Sequence, residues 1–135
     1  YKAETPLETA IAAACADGVN IFFDNVGAET LDAALVNMAA GGRIVVSGQV
    51  AEYNRQNPVG IREVTRFITH RLRMEGLVVY DYAPKFTDAI GQMAALINAG
   101  KLAYTEDIIA GIENAPDAYA GLFGGENLGR RLIRT

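Results

Sequence analysis

An α/β fold with a parallel sheet is what the sequence predicts, on three observations. Residues 21–23, Ile-Phe-Phe, form an apolar run that passes through Asp24-Asn25-Val26-Gly27 into a segment whose Leu31, Leu35 and Met38 keep helical spacing. A second run, Ile44-Val45-Val46, is continuous in apolar character rather than alternating, as strands covered on both faces are. The connections are short, and strand, helix, strand joined in this way is a right-handed βαβ unit. Polar residues at the end of a buried strand then matter, because ligands of open α/β sheets bind at the carboxyl ends of the strands.

The elements follow in chain order. Thr5-Pro6-Leu7-Glu8 reads as a helix start, with proline at the first helical position and a Thr-x-x-Glu capping box, so a helix is expected over residues 6–16. Asp17-Gly18 ends it, and residues 19–24 form the first strand. The helix after Gly27 is expected to close at Gly41-Gly42, ahead of a second strand at 43–47. A polar loop with the breaker Asn57-Pro58 follows Gly48, then a helix at 61–72 and a third strand at 76–80. Phe86, Ile90, Met93 and Ile97 mark one face of a helix that stops at Gly100. Residues 105–110 and 130–134 are strand-like, with a short helix at 116–123 between them. This change of character divides the chain into 1–100 and a tail at 101–135.

Composition narrows the function. With 135 residues, 50% hydrophobic and 21% charged, the chain suits a globular domain with its own core. It begins at Tyr1 without methionine, and it is read as a piece of a longer protein. A net charge of −4 with scattered basic residues argues against nucleic acid. No apolar run approaches a membrane span. The single cysteine, Cys15, excludes an internal disulfide, and the single histidine, His70, leaves too few soft ligands for a zinc site in this segment. A reducing, cytoplasmic setting is the default. Cys15 in its alanine-rich helix reads as packing, and Asp24 as a hydrogen-bonding turn residue.

Four stretches, FFDNVGAETLDAAL, GRIVVSGQVAEYN, LRMEGLVVYDY and ENAPDAYAGLFGGENLGRRLIR, together resemble the medium-chain dehydrogenase/reductase superfamily. The resemblance runs in register from Tyr1 to the last residue. It is to the zinc-independent, NADPH-dependent alkenal/one and prostaglandin (leukotriene) reductase branch. It implies the C-terminal half of a Rossmann-type doubly wound parallel sheet, here its fourth to sixth strands, plus a tail returning to the substrate domain. It also implies NADPH as cofactor, no metal, an enone as substrate, and a homodimer through the strand at 76–80. A quinone reductase of the same superfamily is an alternative. So is a non-catalytic association module, because the strand at 19–24 leaves an edge that another chain could cover.

Site residues follow position by position. From the residues alone, Asn25 and Gly27 form a strand-to-helix turn in which Asn25 caps the helix. By the resemblance, Asn25 contacts the cofactor. Ser47, Gly48, Gln49, Val50, Ala51, Glu52 and Tyr53 match the segment that wraps the nicotinamide end of NADPH. Taken alone, Tyr53 is a loop residue packed on Pro58. By the resemblance it is the catalytic residue, its phenol donating to the carbonyl oxygen on which charge gathers as hydride reaches the β-carbon. Leu77, Val78 and Val79 read as a core strand and match the stretch whose backbone lies near the nicotinamide carboxamide. Asn127 reads as a turn residue and matches a tail asparagine that reaches the cofactor. Tyr1 falls where the family's tyrosine lies against the adenosine phosphate end.

Overall fold

A computed structural model describes residues 5–135. Tyr1, one of the cofactor-site expectations, lies outside the described residues. The chain divides into two compact units, Tyr1–Tyr82 and Ala83–Thr135.

The first unit holds a three-stranded sheet, order β1-β2-β3, built from β1 (Val19–Asp24), β2 (Met38–Val46) and β3 (Arg73–Gly76). Both pairings are parallel, as the continuous apolar runs predict. Helix α1 (Leu7–Ala14) precedes β1, α2 (Ala28–Leu35) joins β1 to β2, and α3 (Thr65–Thr69) precedes β3. The core is where α2 meets β2: Leu31, Leu35, Met38, Ile44 and Leu72 are buried together, with Phe22, Ile61, Phe67 and Met74 packed against them. The other face of β1 is uncovered, with Ile21 and Phe23 exposed.

Several boundaries differ from the sequence expectation, each for a local reason. Pro6 is extended (φ −52°, ψ 136°) and is itself the N-cap of α1, so Thr5 stands one residue too early and no side-chain cap bond forms. Helix α2 stops at Leu35, not at Gly41-Gly42. Those glycines lie inside β2, where the register jumps between Val19–Met38 and Ile21–Arg43 and Gly41 takes φ 76° in the bulge. The helix expected at 61–72 is confined to Thr65–Thr69. The third strand, expected at 76–80, is Arg73–Gly76, and Val79–Lys85 is 3₁₀ helix. The cause is the partner: β2 ends at Val46, which pairs with Gly76, and the Leu77 N–H to Val46 carbonyl bond of 2.8 Å is the last rung. Leu77, Val78 and Val79 therefore lie just past the strand end rather than within it.

The second unit begins with α4 (Phe86–Asn98), whose stripe of Phe86, Ile90, Met93 and Ile97 is present as expected and exposed. Two parallel strands, β4 (Glu106–Ala110) and β5 (Arg130–Arg134), form a separate sheet, with α5 (Ala115–Gly124) between them in sequence. Arg131 secures this unit by donating to the Asp107 carboxylate at 2.8 Å and to the Ala118 carbonyl at 3.1 Å. Among the described residues no helix is long and apolar enough to cross a membrane.

Candidate active site at the strand ends

The carboxyl end of β1 is organised by Asp24. It is 1% exposed, and its Oδ1 accepts the N–H groups of Val26 and Gly27, both at 2.9 Å. That carboxylate draws the chain into a tight turn leading to α2, which is why a charged residue sits at the end of an apolar strand. Its Oδ2 is buried without a hydrogen-bond partner. Gly27 is the N-cap of α2 at φ 74°, a backbone conformation that favours glycine. The capping role open to Asn25 from its sequence position is thus taken by no side chain. Asn25 is exposed, and its amide makes no hydrogen bond with the described residues.

Main-chain bonds lace the segment after β2 to this turn. The Ser47 and Gly48 N–H groups both donate to the Asp24 carbonyl, at 2.8 and 3.2 Å. Val50 N–H donates to Asn25 at 3.1 Å and Ala51 N–H to Val26 at 3.0 Å. Gly48 packs closely against both Asn25 and Tyr53. A Cβ there would stand 3.3 Å from the Asn25 carbonyl oxygen and 3.4 Å from the Tyr53 hydroxyl. The structure thus brings Asn25 together with Ser47, Gly48, Gln49, Val50, Ala51, Glu52 and Tyr53, on contiguous turns at neighbouring strand ends. Tyr53 is exposed rather than packed in the loop, and its hydroxyl lies 3.5 Å from the Gln49 N–H. Leu77 joins the group through its bond to Val46, while the side chains of Val78 and Val79 are exposed. Asn127 belongs to the second unit, where its amide donates to the Gly129 carbonyl at 2.9 Å.

Sequence reasoning missed the ion pairs that hold the loop. Arg55 donates to Glu29 of α2 at 2.8 and 3.0 Å, and Arg62 pairs with Asp32 of α2 through its Nε at 2.6 Å and its backbone N–H at 3.0 Å. The hydrogen bond from Arg55 holds the Glu29 carboxyl below the usual carboxylate range, and Glu29 in turn raises Arg55. The Asp32 bond raises Arg62 likewise. Glu29 and Asp32 stand at i and i+3 on one expected helix, but the sequence does not join them to their partners, because Arg55 falls in a polar loop and Arg62 in a stretch expected to be helix. Beneath this loop is a cavity of about 340 Å³ with Ala28, Leu31, Gln49, Glu52, Ile61 and Met74 among its walls. Gln49 and Glu52 thus have an inward side, whereas Asn25 and Tyr53 lie outside the cavity. No group of three His, Cys, Asp or Glu residues that could hold a metal occurs among the described residues.

The family described as zinc-binding dehydrogenase matches residues 1–133. The chain belongs to this family. Among its relatives, the NADP(+)-dependent 2-alkenal reductase of Nicotiana tabacum is 41% identical over 98% of this chain and 39% of its own length. Prostaglandin reductase 1 of Bos taurus is 34% identical over 100% of this chain and 42% of its own. The crystal structure of CurA from Vibrio vulnificus in complex with NADPH superposes with a TM-score of 0.83 at 29% identity, over 98% of this chain and 41% of that one. The chain therefore spans about two fifths of the length of these relatives. They are the branch that the four sequence stretches resemble, and the superposition establishes the parallel sheet as part of a medium-chain dehydrogenase fold.

Proposed function

We propose that this chain carries the nicotinamide-side half of the cofactor site of an NADPH-dependent oxidoreductase that saturates the C=C bond of α,β-unsaturated ketones and aldehydes. The observation that carries the reading is the laced turn at the ends of β1 and β2. It leaves the Asn25 amide without a hydrogen bond among the described residues and Tyr53 exposed, its hydroxyl beside a glycine, in a chain whose relatives include a 2-alkenal reductase and a prostaglandin reductase. The residues present fit such a cofactor. Gly48 leaves open the space that a Cβ would fill between Asn25 and Tyr53, and an amide at a strand end offers both donors and an acceptor.

In this reading Asn25, the main chain of Ser47 to Glu52, and Leu77, Val78 and Val79 hold the nicotinamide end. When bound, NADPH supplies the hydride. The β-carbon of the enone receives it, the C=C π electrons shift toward the carbonyl, and charge gathers on the carbonyl oxygen. The Tyr53 O–H donates to that oxygen, and a proton from water then completes the α-carbon. The same protein is proposed to form homodimers along β3.

The test uses the full-length protein with NADPH and an α,β-unsaturated ketone. Loss of nicotinamide absorbance should accompany formation of the saturated ketone, identified by NMR. An allylic alcohol as product, with the C=C bond intact, would overturn the assignment. Turnover confined to quinones would favour quinone reduction.

A further inference from the structure

Tyr53 has little of its own to hold it. It is 68% exposed, and among the described residues its hydroxyl is met by the Gln49 N–H alone, at a long 3.5 Å. The residues on either side of it are held far more firmly. The Arg55 guanidinium lies between two carboxylates: Nη2 donates to both oxygens of Glu29 at 3.0 and 2.8 Å, and Nη1 donates to Oε1 of Glu52 at 3.3 Å. The second oxygen of Glu52 accepts the Val59 N–H at 3.0 Å, and the Glu52 side chain is only 9% exposed. One clamp therefore ties together the first turn of α2, the near limb of the loop and its far limb. Tyr53 stands between the clamp's two loop anchors, residues 52 and 55.

We propose that Glu29, Glu52 and Arg55 are positioning residues that fix Tyr53 over Gly48, a role that rests on the reading of Tyr53 as the donor to the substrate carbonyl. An exposed ion pair by itself adds little to stability. What this one supplies is geometry. Residues 47–64 form no helix or strand, so without the clamp the tyrosine would sample many positions, and a catalytic donor displaced by an ångström loses most of its effect. Arginine suits the task because its planar fork meets two carboxylates at once, which the point charge of lysine does not.

The test is a double-mutant cycle in the full-length enzyme. Arg55→Ala should lower kcat about three- to ten-fold with the KM for NADPH unchanged. In a Tyr53→Phe background the same substitution should cost nothing further, because no hydroxyl is left to misplace. Arg55→Lys should fall between wild type and Arg55→Ala. In the ligand-free protein, amide exchange across residues 49–60 should speed up several-fold in Arg55→Ala and stay unchanged in Tyr53→Phe. Losses that multiply in the double variant, or unaltered exchange in Arg55→Ala, would overturn the clamp while leaving the donor reading of Tyr53 intact. Full turnover in Tyr53→Phe would overturn the donor reading and the clamp with it. Should Arg55→Ala not fold, Arg55→Lys and Glu29→Gln carry the same cycle.

Discussion

Asn25 and Tyr53 stand on adjoining turns, yet they are expected to fail differently. If the Tyr53 hydroxyl donates mainly in the transition state, Tyr53→Phe should lower kcat and kcat/KM together by roughly ten-fold, about 1.4 kcal/mol, with NADPH affinity little changed. A larger loss, on the order of 10²-fold, would be expected were it the principal oxyanion donor. Asn25→Ala instead removes an exposed amide that makes no hydrogen bond with the described residues, so it should raise the Kd for NADPH first and leave the fold alone. Steady-state kinetics with one enone, together with NADPH titration by fluorescence, separates the two. Gly27 makes a third case at this scale, because its φ of 74° is costly for any side chain. Gly27→Ala should destabilise the protein by about 1 to 3 kcal/mol in chemical denaturation, since with ψ at −160° the backbone lies in a region that is essentially glycine's alone. A Cβ there meets Gln49 at an ordinary 3.4 Å, so that cost is conformational rather than steric.

At the scale of the element, α2 does two jobs, and each gives a prediction. Its inward face supplies Leu35, fully buried against Met38 and Ile44, and Leu35→Ala should cost roughly 2 to 5 kcal/mol in urea unfolding. Its loop-facing side supplies the exposed Glu29 and the buried Asp32 to the loop. Glu29 has a lowered pKa in the folded protein, chiefly from the Arg55 hydrogen bond, with Arg62 adding a weaker attraction and Glu52 sharing the same guanidinium. A lowered carboxylate pKa contributes fully above the ordinary value and is lost as pH falls through the lowered one. Protection of residues 49–60 against amide exchange should therefore hold across neutral pH and fall only below the usual carboxylate range, and a loss near pH 6 to 7 would point to another group. The same elements show what was legible. The strand cores of β1 and β2 and the whole of α4 were readable because periodicity and apolar runs report directly on local geometry. The end of β3 was not, since Leu77-Val78-Val79 is apolar enough to continue and stops pairing only because β2 has run out at Val46. The Arg55 and Arg62 pairs were hidden too, for they join residues 26 and 30 apart and leave no period in the sequence. The proposed strand-end site came from the family resemblance, since the residues alone read Asn25 as a helix cap and Tyr53 as a packed loop residue, and Asn127 likewise rests on a match in the tail.

For the molecule as a whole, the 135 residues contain no G-x-G-x-x-G pattern, so they lack the glycine-rich turn on which a dinucleotide pyrophosphate rests. The chain alone should therefore bind NADPH more weakly than micromolar, and tight binding by fluorescence titration would place the phosphate site within it. Association should be easier to see than ligand binding. In the sheet order β1-β2-β3, β3 is bonded on one side only among the described residues, and the exposed Val78, Val79 and Tyr80 follow shortly after its end. An unpaired edge beside exposed apolar side chains is the arrangement that a second copy covers, and a two-fold axis at β3 would join two sheets into one. β3 is short and carries Arg73 and Glu75, so pairing along its four residues needs the apolar contact beyond it to give a stable dimer. Light scattering should accordingly give at least twice the chain mass of 14.4 kDa, and Val78→Glu combined with Val79→Glu should shift the population toward monomer. The edge of β1 makes a different prediction, since any pairing there would survive those two substitutions. A wild-type chain that stays monomeric at high concentration, or a dimer indifferent to charge at Val78 and Val79, would remove β3 as the interface.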